Sequence, residues 1–239
     1  MSSWCDGEFL GFDTETTGVD VASDRIVSAA LVHRAGPSTR VRTWLIDPGV
    51  PIPTAASKVN GLTTRQVRAE GVRSAVALEE IATAIAAAQH AGVPLVAYNA
   101  TFDLALLDHE LDRHRLPRLT QRVGGPLAVI DPLVLDRGLD TEREGPRTLG
   151  DLCGHYGVQT RADLHAADVD VLATLDVLTG IAAAFPGIGE LTVAELQPWQ
   201  ARQYRRWAEG CNARRLADEH ARPPVDPSWP LPVALAAAG

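Results

Sequence analysis

Three apolar, β-branched runs crowd the start of the chain: EFLGFDTE (8–15), RIVSAALVHR (25–34) and VRTWLID (41–47). Turn signals such as Asp24 and Gly36-Pro37 separate them. Connections this short join antiparallel neighbours, because a parallel crossover needs a dozen residues or more. The runs therefore predict a three-stranded antiparallel meander, and the chain beyond must supply the helices that cover it.

Beyond the proline-containing loop DPGVPIPTAASKVNGLT the pattern alternates. SAVALEEIATAIAAAQHAG carries Val76, Leu78, Ile81 and Ile85 near helical spacing and stops at Gly92, which predicts a helix. LVAYN (95–99) predicts a short buried strand, and TFDLALLDHELDRH a helix with a Leu104, Leu107, Leu111 stripe. LAVIDPLVL (127–135) predicts another strand, and TLGDLCGHYG and AADVDVLATLDVLTGIAAAF two further helices. The order βββαβαβαα makes an α/β fold, a mixed five-stranded sheet flanked by helices. PGIGE (186–190) marks a linker. The expected division is residues 1–185 as one domain and 186–239 as a helical extension. Its helix, VAELQPWQARQYRRWAEGCNARRLADEH, starts or breaks at Pro198, and the proline-rich end is expected to be extended and mobile.

Composition narrows the function classes. With 239 residues, 46% of them hydrophobic and 22% charged, the chain has the balance of a soluble globular protein. Cys5, Cys153 and Cys211 follow no metal-ligand spacing, which fits a reducing, cytoplasmic setting. MSSWCDGE lacks the basic-then-apolar pattern of a secretory leader, and acidic residues interrupt every candidate membrane span. A net charge of −8 argues against gripping nucleic acid by bulk electrostatics, though not against an enzyme that meets phosphates with metal cations. Residues 1–185 hold 24 acidic and 16 basic side chains, while the extension holds six of each.

The candidate chemistry begins at GFDTETTG (11–18). Residues i and i+2 of a strand share a face, so Asp13 and Glu15 project together. Carboxylates this close raise each other's pKa unless a cation lies between them, and an all-oxygen site favours Mg²⁺ or Mn²⁺. A solvated strand edge is the alternative. In YNATFDLALL, Asp103 falls where a strand passes into a helix, a position the helix dipole favours for any acid. In LHAADVDVLATLDVL, His165 precedes a helix that carries Asp168, Asp170 and Asp176, and spacing alone does not choose among these three acids.

DTETTG, YNATFD and HAADVD, in that order and separation, resemble the three motifs of the DEDDh family of 3′–5′ exonucleases. That family includes the proofreading subunit of bacterial replicative polymerases and ribonuclease T. The resemblance spans about Phe9 to Leu178. It implies a ribonuclease H-like fold, with Asp13, Glu15, Asp103 and Asp170 as the four metal-binding acids and His165 as the general base. It selects Asp170 over Asp168, because the family places the acid five residues after the histidine. It further implies two divalent ions and hydrolysis from the 3′ end with release of nucleoside 5′-monophosphates. Imidazole ordinarily titrates near pH ~6.5 and can take a water's proton near neutrality.

The same resemblance places Thr14, Thr16, Thr17 and Asn99 around the substrate's terminal sugar and phosphate. It makes Leu62 an apolar wedge, while Phe102 is positioned to stack on a base. The bland alternatives are a loop anchor for Leu62 and a core residue for Phe102. Tyr98 and Asn60 depart from the family, which usually has histidine at both positions.

Two basic stretches remain. RHRLPRLTQR (113–122) reads as a solvated face or a phosphate-tracking patch. Arg202, Arg205, Arg206, Arg214 and Arg215, interleaved with Trp199, Tyr204 and Trp207, suit packing on the domain, single-strand binding or docking on a polymerase-type partner. The leading expectation is an exonuclease on DNA 3′ ends. Alternatives are a 3′–5′ exoribonuclease and, less favoured because all five motif residues are present, a non-catalytic interaction module.

Overall fold

The computed structural model describes residues 4–159, 164–216 and 223–232. A 3₁₀ turn, Trp4–Asp6, leads into β1 (Glu8–Thr16), β2 (Ile26–Ala35) and β3 (Ser38–Asp47), paired antiparallel as their short connections require. The segment expected as a loop holds one short helix, α1 (Thr54–Asn60), and a second, α2 (Thr64–Glu70), follows it. The hydroxyl of Thr63 caps α2 by accepting from the Gln66 amide. The two-residue strand β4 (Val72–Arg73) then adds parallel to β3, so the sheet has six strands rather than five. No hydrophobic period can register over two residues.

There follow α3 (Ser74–His90), β5 (Leu95–Val96), α4 (Ala100–Arg113), α5 (Leu119–Val123), β6 (Val129–Ile130), α6 (Pro132–Leu139), α7 (Leu149–His155), α8 (Ala167–Ala184) and α9 (Val193–Leu216). The sheet runs β4-β3-β2-β1-β5-β6, with β5 and β6 parallel to β1. LAVIDPLVL, expected as one strand, is strand only over Val129–Ile130. Asp131 ends the strand by capping α6, its carboxylate accepting the Leu133 amide at 3.0 Å. Pro132 takes the first helical turn, where its missing N–H leaves no carbonyl unpaired.

Side chains alternate across β1, and its faces meet different helices. Leu10 and Phe12 join a core with Leu78 and Ile81 of α3 and Leu104 and Leu107 of α4. Phe9 joins a second core with Val171, Leu175 and Leu178 of α8. Gly11 lies on this second face, where a Cβ would stand 2.3 Å from Val171 Cγ1. Glycine is what allows α8 to lie so close to β1.

The extension packs against the sheet. Thr192 and Glu195 form a reciprocal cap, so α9 begins at Val193 and continues through Pro198 rather than starting or breaking there. β6 is the outer strand, and glutamine amides occupy its free edge. Gln197 accepts from the Val129 amide and donates to the Val129 carbonyl, both at 3.0 Å. Gln200 accepts from the Asp131 amide at 2.8 Å and also donates to the Val129 carbonyl, at 2.9 Å. On the side facing β5, Gln89 of α3 likewise accepts from the Ala128 amide and donates to its carbonyl. Side chains thus stand in for a missing neighbour strand.

Nor are residues 223–232 a loose tail: Asn212 exchanges two hydrogen bonds with Val225, and Leu231 is buried. Residues 217–222 and 233–239, expected in the helix and tail, lie outside the described residues. Among the described residues, no helix is long and apolar enough to cross a membrane.

Candidate active site

Asp13 and Glu15 sit on the face of β1 that α8 covers, two and four residues beyond Gly11. Asp170 lies in the first turns of α8, so the close approach allowed at Gly11 carries its carboxylate to the other two. One oxygen from each of Asp13, Glu15 and Asp170 lies within 4.8 Å of the others. Burial and then the neighbouring carboxylates raise Asp13 well above the usual carboxylate range. The same causes push Glu15 up to about 7. Asp170 is raised as well, chiefly by burial. Three converging oxygen ligands with proton affinities this high fit a hard divalent cation.

Asp103 approaches from the other side. It is buried in the first turn of α4, and its Oδ1 accepts both the Thr14 hydroxyl at 2.6 Å and the Thr14 amide at 3.1 Å. Thr14 lies between Asp13 and Glu15 and points to the opposite face, so this pair fixes the strand segment that carries both acids. Asp103 lies outside the three-carboxylate cluster, though close enough that its charge acts on Asp13. Burial raises its own pKa to about 7, against the pull of the Thr14 donors.

A second buried acid, which the sequence reading passed over, holds Asp103 in place. Asn99 precedes α4 in the left-handed conformation (φ 57). Its amide and that of Ala100 donate to the two oxygens of Asp131, at 3.1 and 2.9 Å. Asp131 therefore links the end of β5, the start of α4 and the start of α6. The Asp-Pro pair at 131–132 was the available signal, since it is a helix-start signature.

His165 is exposed, at φ 87, just ahead of α8. Its backbone amide donates to both oxygens of Asp170, at 3.1 and 3.3 Å. Among the described residues its imidazole makes no hydrogen bond.

The remaining motif residues are engaged within the fold. Thr16 donates its hydroxyl to the Gly18 carbonyl, and Thr17 donates to Asp24 at 2.7 Å. A Cβ on Gly18 would stand 2.4 Å from an Asp24 oxygen, so glycine here leaves room for the carboxylate that Thr17 bonds. Leu62 is half-buried beside Val27, Ile52 and Val67, and Phe102 is half-buried against the larger core. Asn60 donates its amide to the Thr16 carbonyl at 3.2 Å, and the Tyr98 hydroxyl donates to the Arg147 carbonyl at 2.6 Å. In the 113–122 stretch, Arg113, Arg118 and Arg122 are largely covered and pair with Glu110, Asp112 and Glu79, Glu110 being fully buried.

The RNase_T family profile, described as Exonuclease, matches residues 10–178. The DNA polymerase III PolC-type of Streptococcus thermophilus is 34% identical over 170 residues, 70% of this chain and 10% of the relative. That of Lacticaseibacillus paracasei is 30% identical over 168 residues, 70% of this chain and 11% of the relative. The chain thus spans about a tenth of the length of these relatives.

In fold, the chain is similar to Escherichia coli exonuclease I in complex with a dA16 oligonucleotide, with a TM-score of 0.64 at 19% identity over 83% of this chain and 44% of that one. The exonuclease I of Methylocaldum szegediense gives 0.65 at 23% identity, over 84% of this chain and 46% of that one. With the profile covering well over half of its length, this chain belongs to the RNase_T family of exonucleases.

Proposed function

We propose that the chain is a metal-dependent 3′–5′ exonuclease that shortens single strands of DNA and releases nucleoside 5′-monophosphates. The observation that carries this reading is the convergence of Asp13, Glu15 and Asp170, whose oxygens lie within 4.8 Å of one another. DNA is favoured over RNA because the relatives are DNA polymerase III chains and a structural neighbour holds a DNA oligonucleotide.

Asp13, Glu15 and Asp170, with Asp103 close enough to act on Asp13 and Glu15, would hold two divalent ions, Mg²⁺ or Mn²⁺. Bound there, such ions lower the pKa of water and offset charge on the scissile phosphate and on the leaving 3′ oxygen. The chain's own residues do the rest. Asp103 acts as a positioning residue through Thr14, holding Asp13 and Glu15 at a fixed angle. His165, exposed at the rim, takes the proton of the attacking water, and its backbone bond to Asp170 keeps it beside the cluster. Thr14, Thr16, Thr17 and Asn99 shape the turn that receives the terminal sugar, with Leu62 and Phe102 at its apolar border. The first 185 residues carry this chemistry, and the extension supports it from β6.

The test is a gel assay of 5′-labelled single-stranded DNA and the matching RNA with Mg²⁺ or Mn²⁺, beside EDTA and Asp13→Ala controls. A DNA ladder shortening from the 3′ end, lost in both controls, is expected. A ladder on RNA alone would reassign the substrate, and shortening that survives EDTA or Asp13→Ala would sink the metal mechanism.

A further inference from the structure

A cavity of about 520 Å³ opens between the end of α6, the loop at 141–147 and the outer half of α9. Arg137, Arg143, Arg147, Arg206 and Arg214 line it with Trp207, and its lining holds no acidic and no aliphatic side chain. This is a dense positive region on a chain of net charge −8.

The five cations fall into two groups. Arg143 and Arg147 are committed to the wall, since both pair with the buried Asp136 and Arg143 also reaches Asp140. Arg137, Arg206 and Arg214 meet no carboxylate among the described residues. Arg206 bonds the neutral Gln203 amide oxygen at 3.1 Å, and Arg214 bonds the Cys211 sulfur at 3.3 Å. Arg137 lies over the Trp207 ring, 3.9 Å from its centroid, and its Nη1 is buried without a hydrogen-bond partner. The ring contact fixes that guanidinium before any ligand arrives.

Guanidinium groups offer paired N–H donors that match phosphate oxygens. Three of them spread around one cavity, none of them ion-paired among the described residues, suit successive phosphates better than a single carboxylate. A protein segment would find a single ring, Trp207, and no aliphatic side chain here, a smaller apolar seat than the buried centre of a protein interface normally provides. The Tyr98 hydroxyl bonds the Arg147 carbonyl at 2.6 Å and so ties the cavity's loop to the residue before Asn99.

We propose that this cavity binds internucleotide phosphates of a single nucleic-acid strand, as a second hold on the substrate outside the carboxylate cluster. The identity of the strand rests on the exonuclease reading above. A strand held at two places dissociates more slowly than one held at its end alone, which favours repeated cleavage of long strands.

The experiment compares two charge-matched variants of the full chain. Arg206→Gln with Arg214→Gln removes two exposed cavity arginines, and Arg202→Gln with Arg205→Gln removes two from the same helix outside the cavity. Fluorescence anisotropy in EDTA, where no cleavage occurs, measures binding of an oligothymidylate of about 20 nucleotides, longer than known single-strand site sizes of ~4–16. The cavity pair is expected to weaken binding and to reduce the slope of log Kd against log salt by about 1.4, roughly 0.7 per lost phosphate contact. The control pair is expected to leave that slope within error of wild type.

Equal effects from both pairs, or none from the cavity pair, would overturn the site. So would saturable binding of hexa-aspartate that the cavity pair abolishes while strand binding stays intact, which would assign the cavity to an acidic peptide. Because binding is read without hydrolysis, these results are separable from failure of the gel assay, which would remove the exonuclease reading instead.

Discussion

Glu15, pushed up to about 7, holds a proton in the folded chain that it gives up near 4.5 when unfolded. A carboxyl raised in this way contributes stability that is fully present below its unfolded pKa and is lost as pH rises through the folded value. Asp13 and Asp103 are raised in the same sense, and so is Asp131, to about 6. Metal-free protein should therefore melt lower at pH 8 than at pH 5, and Glu15→Gln should flatten that dependence. Divalent cation should restore more at pH 8, where the site is ionised. At a hundredfold excess over Kd the gain is about 2.7 kcal/mol, or roughly 5–10 °C for a chain of this size. Calorimetric scans at both pH values check this, and an equal metal effect at pH 5 would contradict it. Thr14 gives a second prediction. Thr14→Val removes the 2.6 Å hydroxyl bond to buried Asp103, so it should cost about 1–3 kcal/mol in urea unfolding and lower kcat. Thr14→Ser, which keeps the donor, should recover most of both.

Among the elements, α8 and α9 each do something that no single segment of sequence announces. Replacing Gly11 with alanine would press a Cβ into Val171 and lift α8, carrying Asp170 with it. The expected cost is about 1–3 kcal/mol by denaturation, with a larger fall in metal affinity than in stability. Replacing Gln197 and Gln200 together with alanine would strip the partners from the β6 edge. That should cost about 3 kcal/mol or more, at ~1–3 for each of the three backbone groups left unpaired, and promote aggregation measurable by light scattering. The three-strand meander, α3, α4 and α8 were legible because their hydrophobic periods are long. The face shared by Asp13 and Glu15 was legible because strands alternate. The two-residue β4 was not, and Pro132 ended a run of apolar residues that composition alone prolongs into a strand. The glutamine clasp was invisible for another reason: it joins groups about 70 residues apart, and an amide side chain looks alike whether it meets water or a sheet edge.

Taken as a whole, the molecule is acidic and yet is assigned a polyanionic substrate, so favourable charge must be supplied locally. On the proposed reading, the carboxylate cluster does so by recruiting cations and the arginine cavity does so directly. The residues proposed for the first of these sites were named from the family motifs. The second emerges only when α6, the 141–147 loop and α9 are brought together, since its arginines are scattered from 137 to 214. The metal centre carries most of the functional reading, and Mn²⁺ binding followed by electron paramagnetic resonance addresses it without any substrate. Wild type, Asp170→Asn and Asp168→Asn would be titrated at about pH 8, above the Glu15 value of about 7. Saturable binding is expected in wild type and in Asp168→Asn. Asp170→Asn should bind more weakly by over about tenfold, since even losses around the direct ligands reach that size. No saturable Mn²⁺ binding in wild type, or equal weakening by the two substitutions, would contradict a metal centre built from Asp13, Glu15 and Asp170.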